Sequence, residues 1–139
     1  MLTPFSVTSQ ETNEMDKLSC YTRHLDTDEI VEVKTVSGLA GSKIATAQWP
    51  LGYPTIVIDD SAFTKLPDNA KKFIYYHECA HLTLLTKNEN EADCESIKTM
   101  TEKHGLTELD IRILVKTLVK KFGLSRRWTN LLMCEGVIE

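Results

Sequence analysis

His77-Glu78-Cys79-Ala80-His81 is an H-E-x-x-H run inside a stretch that reads as helix. On a helix, residues four apart lie one turn above each other on the same face. Two imidazoles so placed can bind one Zn²⁺ through ring nitrogens at roughly 2.0–2.1 Å. Glu78 sits about 100° around the helix from His77. There its carboxylate can reach a water activated by the ion without ligating the ion. This is the general-base position of metal-assisted hydrolysis, in which the ion acidifies the water and the base removes its proton. The plainer alternative makes His77 and His81 polar residues on a half-buried helix with no metal.

A hydrolytic zinc site needs a third protein ligand and an open position. The third His of the extended motif H-E-x-x-H-x-x-G-x-x-H would fall at Lys87, and its Gly at Leu84, so a carboxylate is expected instead. Glu89, Glu91 and Asp93 all follow closely, in Asn88-Glu89-Asn90-Glu91-Ala92-Asp93-Cys94. Glu89 and Asp93 share one helix face, whereas Glu91 is turned about 200° from Glu89. With Asn88 as N-cap, Glu91 falls at the third helical position and makes a capping-box-like pair.

H-E-x-x-H followed by E-x-x-A-D resembles the gluzincins, specifically the membrane CAAX-prenyl and heat-shock peptidases and their soluble minimal relatives, the minigluzincins. The resemblance covers about residues 54–100. It implies one Zn²⁺ per chain on His77, His81 and Glu89, with Asp93 supporting a ligating imidazole. A carboxylate in that place fixes the imidazole tautomer and raises its basicity. It also implies endopeptidase activity on a peptide or protein substrate, with Glu78 as general base. Only seven residues separate His81 from Glu89, fewer than in the larger gluzincins, so the turn between the two helices must be tight. That spacing is similar to the minimal relatives, and also to the ImmA/IrrE-type peptidases, whose second motif is E-x-x-A-N.

Four cysteines, Cys20, Cys79, Cys94 and Cys134, permit two disulfides. H-E-C-x-H combined with A-D-C is similar to sequences of exported bacterial proteins. That resemblance implies a bridge from Cys79 to Cys94 between the ligand helices, leaving Cys20 with Cys134 to tie the terminal segments. The alternative is four reduced thiols in a cytosolic protein. Cys79 is a poor zinc ligand, since it points roughly opposite to His77 on the helix.

The chain of 139 residues is long enough for one domain, spanning 1–139, with a single hydrophobic core and a polar, loose segment at 1–11. Hydrophobic content of 42% and charged content of 26% are ordinary for a folded domain. A net charge of −4 offers no basic field for nucleic acid, and no apolar run is long enough to span a bilayer. Thr3, Ser6, Thr8, Ser9 and Gln10 leave no secretory signal in this sequence. An exported protein freed of its leader would read the same, and the even cysteine count favours an exported location over a cytoplasmic one.

The elements that must carry these residues follow from periodicity. Glu11 to Leu25 has a helical stripe of Met15, Leu18, Tyr21 and Leu25. Ile30–Val36 alternates as a strand, Ser37–Gly41 turns, Lys43–Trp49 and Tyr53–Asp59 are further strands, and Pro50-Leu51-Gly52 separates them. Short links predict a three-stranded, mostly antiparallel meander. After a connection at 60–66 with about one helical turn, the motif helix runs from about Pro67 to Leu85. A second helix runs from Glu89 to His104 with Gly105 after its end. Thr107 and Asp110 cap a third helix ending at Gly123, and Ser125 caps a short last one. The predicted fold is α+β and zincin-like: the small sheet packs on the motif helix and the glutamate helix, with further C-terminal helices.

The chemistry also calls for a donor to the developing oxyanion, and Tyr53, Tyr75, Tyr76 and His104 are candidates. A strand edge, most plausibly Lys43–Trp49, would bind an extended peptide by β-augmentation. Two other readings compete with an active peptidase. One is a latent or inactive zinc-binding domain serving as a zymogen or binding module. The other is an ImmA-like regulator, for which a fused helix-turn-helix would be the supporting sign.

Overall fold

The computed structural model describes residues 18–41 and 43–134. These form an α+β domain of strands β1 (Tyr21–Arg23), β2 (Ile30–Glu32), β3 (Lys34–Ser37), β4 (Ala45–Gln48) and β5 (Thr55–Ile58). The helices are α1 (Asp60–Phe63), α2 (Asp68–Leu84), α3 (Glu89–His104), α4 (Glu108–Phe122) and α5 (Arg126–Asn130). Short 3₁₀ turns occupy Pro50–Gly52 and Leu131–Met133. The loose segment expected at 1–11 lies outside the described residues.

The sheet departs from a meander. β5 is central, parallel to β3 and antiparallel to β4, in the order β3-β5-β4. The stretch after β3 does not fold back as a hairpin. It passes around the end of β5, where Gly38 donates to the Ile58 carbonyl at 2.9 Å and Asp59 donates to Ile44 at 2.8 Å. β3 and β4 therefore flank β5 on opposite sides. β5 is the most apolar strand, and its Ile56 and Ile58 are buried, as the sequence requires of a central strand.

The predicted strand Ile30–Val36 is two strands with a hinge at Val33. Val33 donates to Cys20 at 2.8 Å and Lys34 to Pro54 at 3.1 Å, so the chain changes partner there. β2 pairs with β1 in a separate antiparallel hairpin, Tyr21 opposite Glu32. The helix expected from Glu11 to Leu25 is thus incorrect over Tyr21–Arg23, where pairing with β2 overrides helical periodicity; residues 11–17 lie outside the described part.

The helices follow their capping signals. α2 is preceded by Pro67 and ends on Leu85 in the left-handed region (φ 51°, ψ 42°). Asn88 Oδ1 accepts from the Glu91 amide at 3.0 Å and opens α3, which Gly105 closes with φ 66°. The Glu91 carboxylate does not complete a reciprocal box; it takes the Thr86 hydroxyl, whose oxygen in turn accepts from the Asn88 amide at 3.0 Å. Thr107 and Asp110 form the full reciprocal box on α4, at 2.9 and 3.1 Å. Phe73, Ile97, Met100, Leu114 and Leu118, all 1% exposed or less, make a core shared by α2, α3 and α4.

Both disulfides form, with partners other than those expected: Cys20 joins Cys79, and Cys94 joins Cys134. A Cys79–Cys94 bridge is excluded by helix geometry. α2 turns His77 toward α3, so Cys79, about 200° further round, faces away from it, toward the strand segment that carries Cys20. Cys94 lies about 140° from Glu89 on α3 and meets the C-terminal turn instead. Two disulfides suit an oxidising compartment. Among the described residues no helix is long and apolar enough to cross a membrane.

Candidate metal centre

The turn Leu85–Asn88 folds α3 back on α2 so that Glu89 meets both imidazoles. His81 Nε2 lies 2.7 Å from Glu89 Oε1, His77 Nε2 lies 3.2 Å from the same oxygen, and the two Nε2 atoms are 3.1 Å apart. Ligands 2.0–2.1 Å from a tetrahedral centre are about 3.3 Å from one another. The three atoms therefore outline one face of such a tetrahedron, slightly contracted.

The far side of each ring fits the same purpose. His81 Nδ1 donates to the Thr86 carbonyl at 2.7 Å, and His77 Nδ1 lies 2.7 Å from Asp93 Oδ1. The second contact is close without being aligned as a linear hydrogen bond, and Nδ1 of His77 has no other polar partner. With both Nδ1 atoms protonated, both Nε2 atoms present lone pairs to each other and to a carboxylate oxygen. Three converging lone pairs repel, and a cation among them removes the repulsion. The donor set therefore fits a divalent ion, with two nitrogens and an oxygen suiting zinc among others.

Asp93 is fully buried, and a lone buried carboxylate would be costly. Arg127, on α5, supplies the countercharge: its Nε and Nη2 donate to the two Asp93 oxygens at 2.8 and 2.9 Å. Burial alone would raise the Asp93 pKa, but the His77 and Arg127 contacts outweigh it and hold the carboxyl below its ordinary value. Glu89 behaves likewise: burial pushes upward, and His77, Arg127 and His81 together bring it below the usual range. Both carboxylates are thus held ionised.

Glu78 is different. It is 7% exposed, with Oε2 3.9 Å from His77 Nε2. Burial raises its pKa, and the neighbouring His77, His81 and Lys43 side chains offset that only in part. An elevated carboxyl pKa beside the ligand cluster is what a proton acceptor and donor requires.

Glu78 and Glu89 stand in the middle of a cleft walled by β4, an edge strand, and by α2. One lobe, about 250 Å³, is apolar, lined by Ile44, Phe73, Leu118, Phe122 and Trp128, with Arg127 beside them. The other, about 580 Å³, is lined by Thr46, Trp49, His81, Thr86 and Lys87. Lys43 borders both lobes.

The structure brings His77, Glu78, His81, Glu89 and Asp93 together as the spacing predicts, and it leaves Glu91 outside. The candidate oxyanion donors do not join them. Tyr53 donates its hydroxyl to Glu32 at 2.9 Å, Tyr76 shares a 2.7 Å hydrogen bond with His104, Tyr75 is buried against Thr35, and none lines either lobe. Two participants escape sequence reasoning: Arg127 and the Thr86 carbonyl. A buried Asp93 calls for a countercharge, but nothing in the sequence selects Arg127 from the other cations, and a backbone carbonyl leaves no residue-type signal. No protein-family model, curated protein or solved structure matches the chain, so the reading of this centre rests on its own geometry.

Proposed function

We propose that this chain is a zinc-dependent endopeptidase of minimal gluzincin type, hydrolysing peptide bonds in the cleft between β4 and α2. The observation that carries the proposal is the convergence of His77, His81 and Glu89 within 3.2 Å of one another, with the buried carboxylate of Glu78 alongside. A bound zinc ion would supply Lewis acidity, lowering the pKa of water toward 7 and polarising a carbonyl. His77, His81 and Glu89 would hold it.

The remaining work falls to the chain's own groups. Asp93 and the Thr86 carbonyl keep the two imidazoles in the tautomer that turns Nε2 inward. Glu78 accepts the proton of the attacking water and returns it to the leaving amine, a role its raised pKa suits. The edge of β4, unpaired among the described residues, orders an extended peptide across the centre, as a strand added to the sheet. The apolar lobe keeps bulk water from one side of the reacting bond. Lys43, Lys87 and Arg127 border the cleft as cationic side chains, and their field favours negative charge there.

The test pairs metal analysis with cleavage of an unfolded protein substrate, with and without chelator. The wild type should hold about one zinc per chain and lose cleavage on chelation. Glu78→Gln should keep the zinc and lose at least about 100-fold in rate. Glu89→Ala should bind zinc much more weakly, while Glu91→Ala leaves binding unchanged. Cleavage retained by Glu78→Gln would sink the mechanism. Zinc bound without any cleavage would point to a binding module instead.

A further inference from the structure

We infer that Arg127 is a positioning residue that sets the metal affinity of the centre, acting on two of the three ligands from the C-terminal end of the fold. The inference rests on the zinc-site reading above.

Arg127 stands thirty-four residues beyond Asp93, yet its guanidinium addresses both sides of the ligand set. Nε and Nη2 grip the carboxylate that lies 2.7 Å from His77 Nδ1. Nη1 lies 3.8 Å from Glu89 Oε2, the oxygen not turned toward the imidazoles. Glu89 is the ligand with the most freedom, its side chain 44% exposed against 6% and 15% for His77 and His81. A cation on Oε2 biases Glu89 toward the rotamer that presents Oε1 to the centre. A planar fork is needed for this double reach, because an ammonium can occupy only one of the two places.

The arginine is itself held from three directions. Its amide donates to Ser125 Oγ at 3.1 Å, and its guanidinium stacks on the Trp128 ring at 4.4 Å. Trp128 is 7% exposed and packs against Phe73 and Phe122. The Cys94–Cys134 bridge then ties the turn after α5 to the residue adjoining Asp93. Such support is unnecessary for a surface ion pair, and it fits a group whose placement sets the geometry of its neighbours.

The experiment measures zinc affinity by competition with a chromophoric chelator on the full oxidised chain, at a temperature where circular dichroism shows the metal-free protein folded. Cobalt-loaded samples add a visible spectrum that reports ligand geometry. Arg127→Met should weaken zinc binding about 10- to 100-fold and alter the cobalt spectrum, with Arg127→Lys recovering only part of the loss. Since Arg127→Met strands a buried carboxylate and can unfold the chain, Asp93→Asn/Arg127→Met removes both charges together. That double variant should fold and show a loss at least as large as that of either single variant, because Arg127 acts both through Asp93 and directly on Glu89. Wild-type affinity in the folded double variant, or an unchanged cobalt spectrum in it, would overturn the inference while leaving the zinc site standing. A wild type that binds no zinc would overturn the site reading itself.

Discussion

Replacing the cysteines two at a time tests the architecture directly. Cys20→Ala/Cys79→Ala opens a loop of sequence separation 59, and Cys94→Ala/Cys134→Ala one of 40. Loop-closure entropy puts the loss of either at about 4 kcal/mol, with the difference in length worth only about 0.3 kcal/mol. The two double variants should therefore show urea unfolding free energies lowered by similar amounts and, since each leaves the other bridge intact, no titratable thiol in the denatured protein. Were Cys79 paired with Cys94 and Cys20 with Cys134, as the resemblance to exported proteins implies, each double variant would break both bridges. It would then expose two thiols per chain and lose roughly twice the stability. Two thiols in a denatured Ellman titration, or losses that differ by more than about 2 kcal/mol, would refute the reasoning.

Burial pushes the Tyr75 hydroxyl up to about 12, above its ordinary 10. An acid whose folded-state pKa is raised binds its proton more tightly when folded, so stability is full below pH 10 and falls between 10 and 12, by about 3 kcal/mol in all. Unfolding free energies at pH 9 and 11.5 should show about 2 kcal/mol of that fall, and Tyr75→Phe should reduce the slope, leaving the smaller part due to buried Tyr76; an equal slope in the variant would discount Tyr75 as the source. Leu85, 67% exposed with φ 51°, carries a side chain in a conformation that favours glycine. Leu85→Gly should stabilise the fold by roughly 0.5 kcal/mol once glycine's extra unfolded-state entropy is subtracted, read as a higher thermal midpoint, whereas Leu85→Val should lower the midpoint.

Helix boundaries were legible in the sequence because their signals are local. Asn88, Gly105, Thr107 with Asp110, and Ser125 each act within four residues, and each cap appears where its residue type predicts. The candidate ligands were legible for the same reason, all three lying on α2 and the start of α3. What escaped depends on distant pairing. Tyr21–Arg23 is a strand because Ile30–Glu32 pairs with it, and β3 lies parallel to β5 with β4 on the opposite side, a register that no local signal encodes. The cysteine partners and Arg127 belong to the same class. The resemblance to exported proteins implies Cys79 with Cys94, and only the packed faces of α2 and α3 separate them.

The open side of β4 has a consequence for solubility. Among the described residues β4 pairs on one side only, and such an edge is a template for another copy of the same strand, the usual route to edge-to-edge aggregation. Here the edge strand is only four residues long, Ala45–Gln48, and bracketed by charged Lys43 and by Pro50, which has no amide hydrogen to extend a ladder. A short edge between such gatekeepers limits fibre growth while leaving room for one extended segment. Variants that lengthen the strand or make it apolar at Lys43 would gain a self-association surface at the mouth of the cleft.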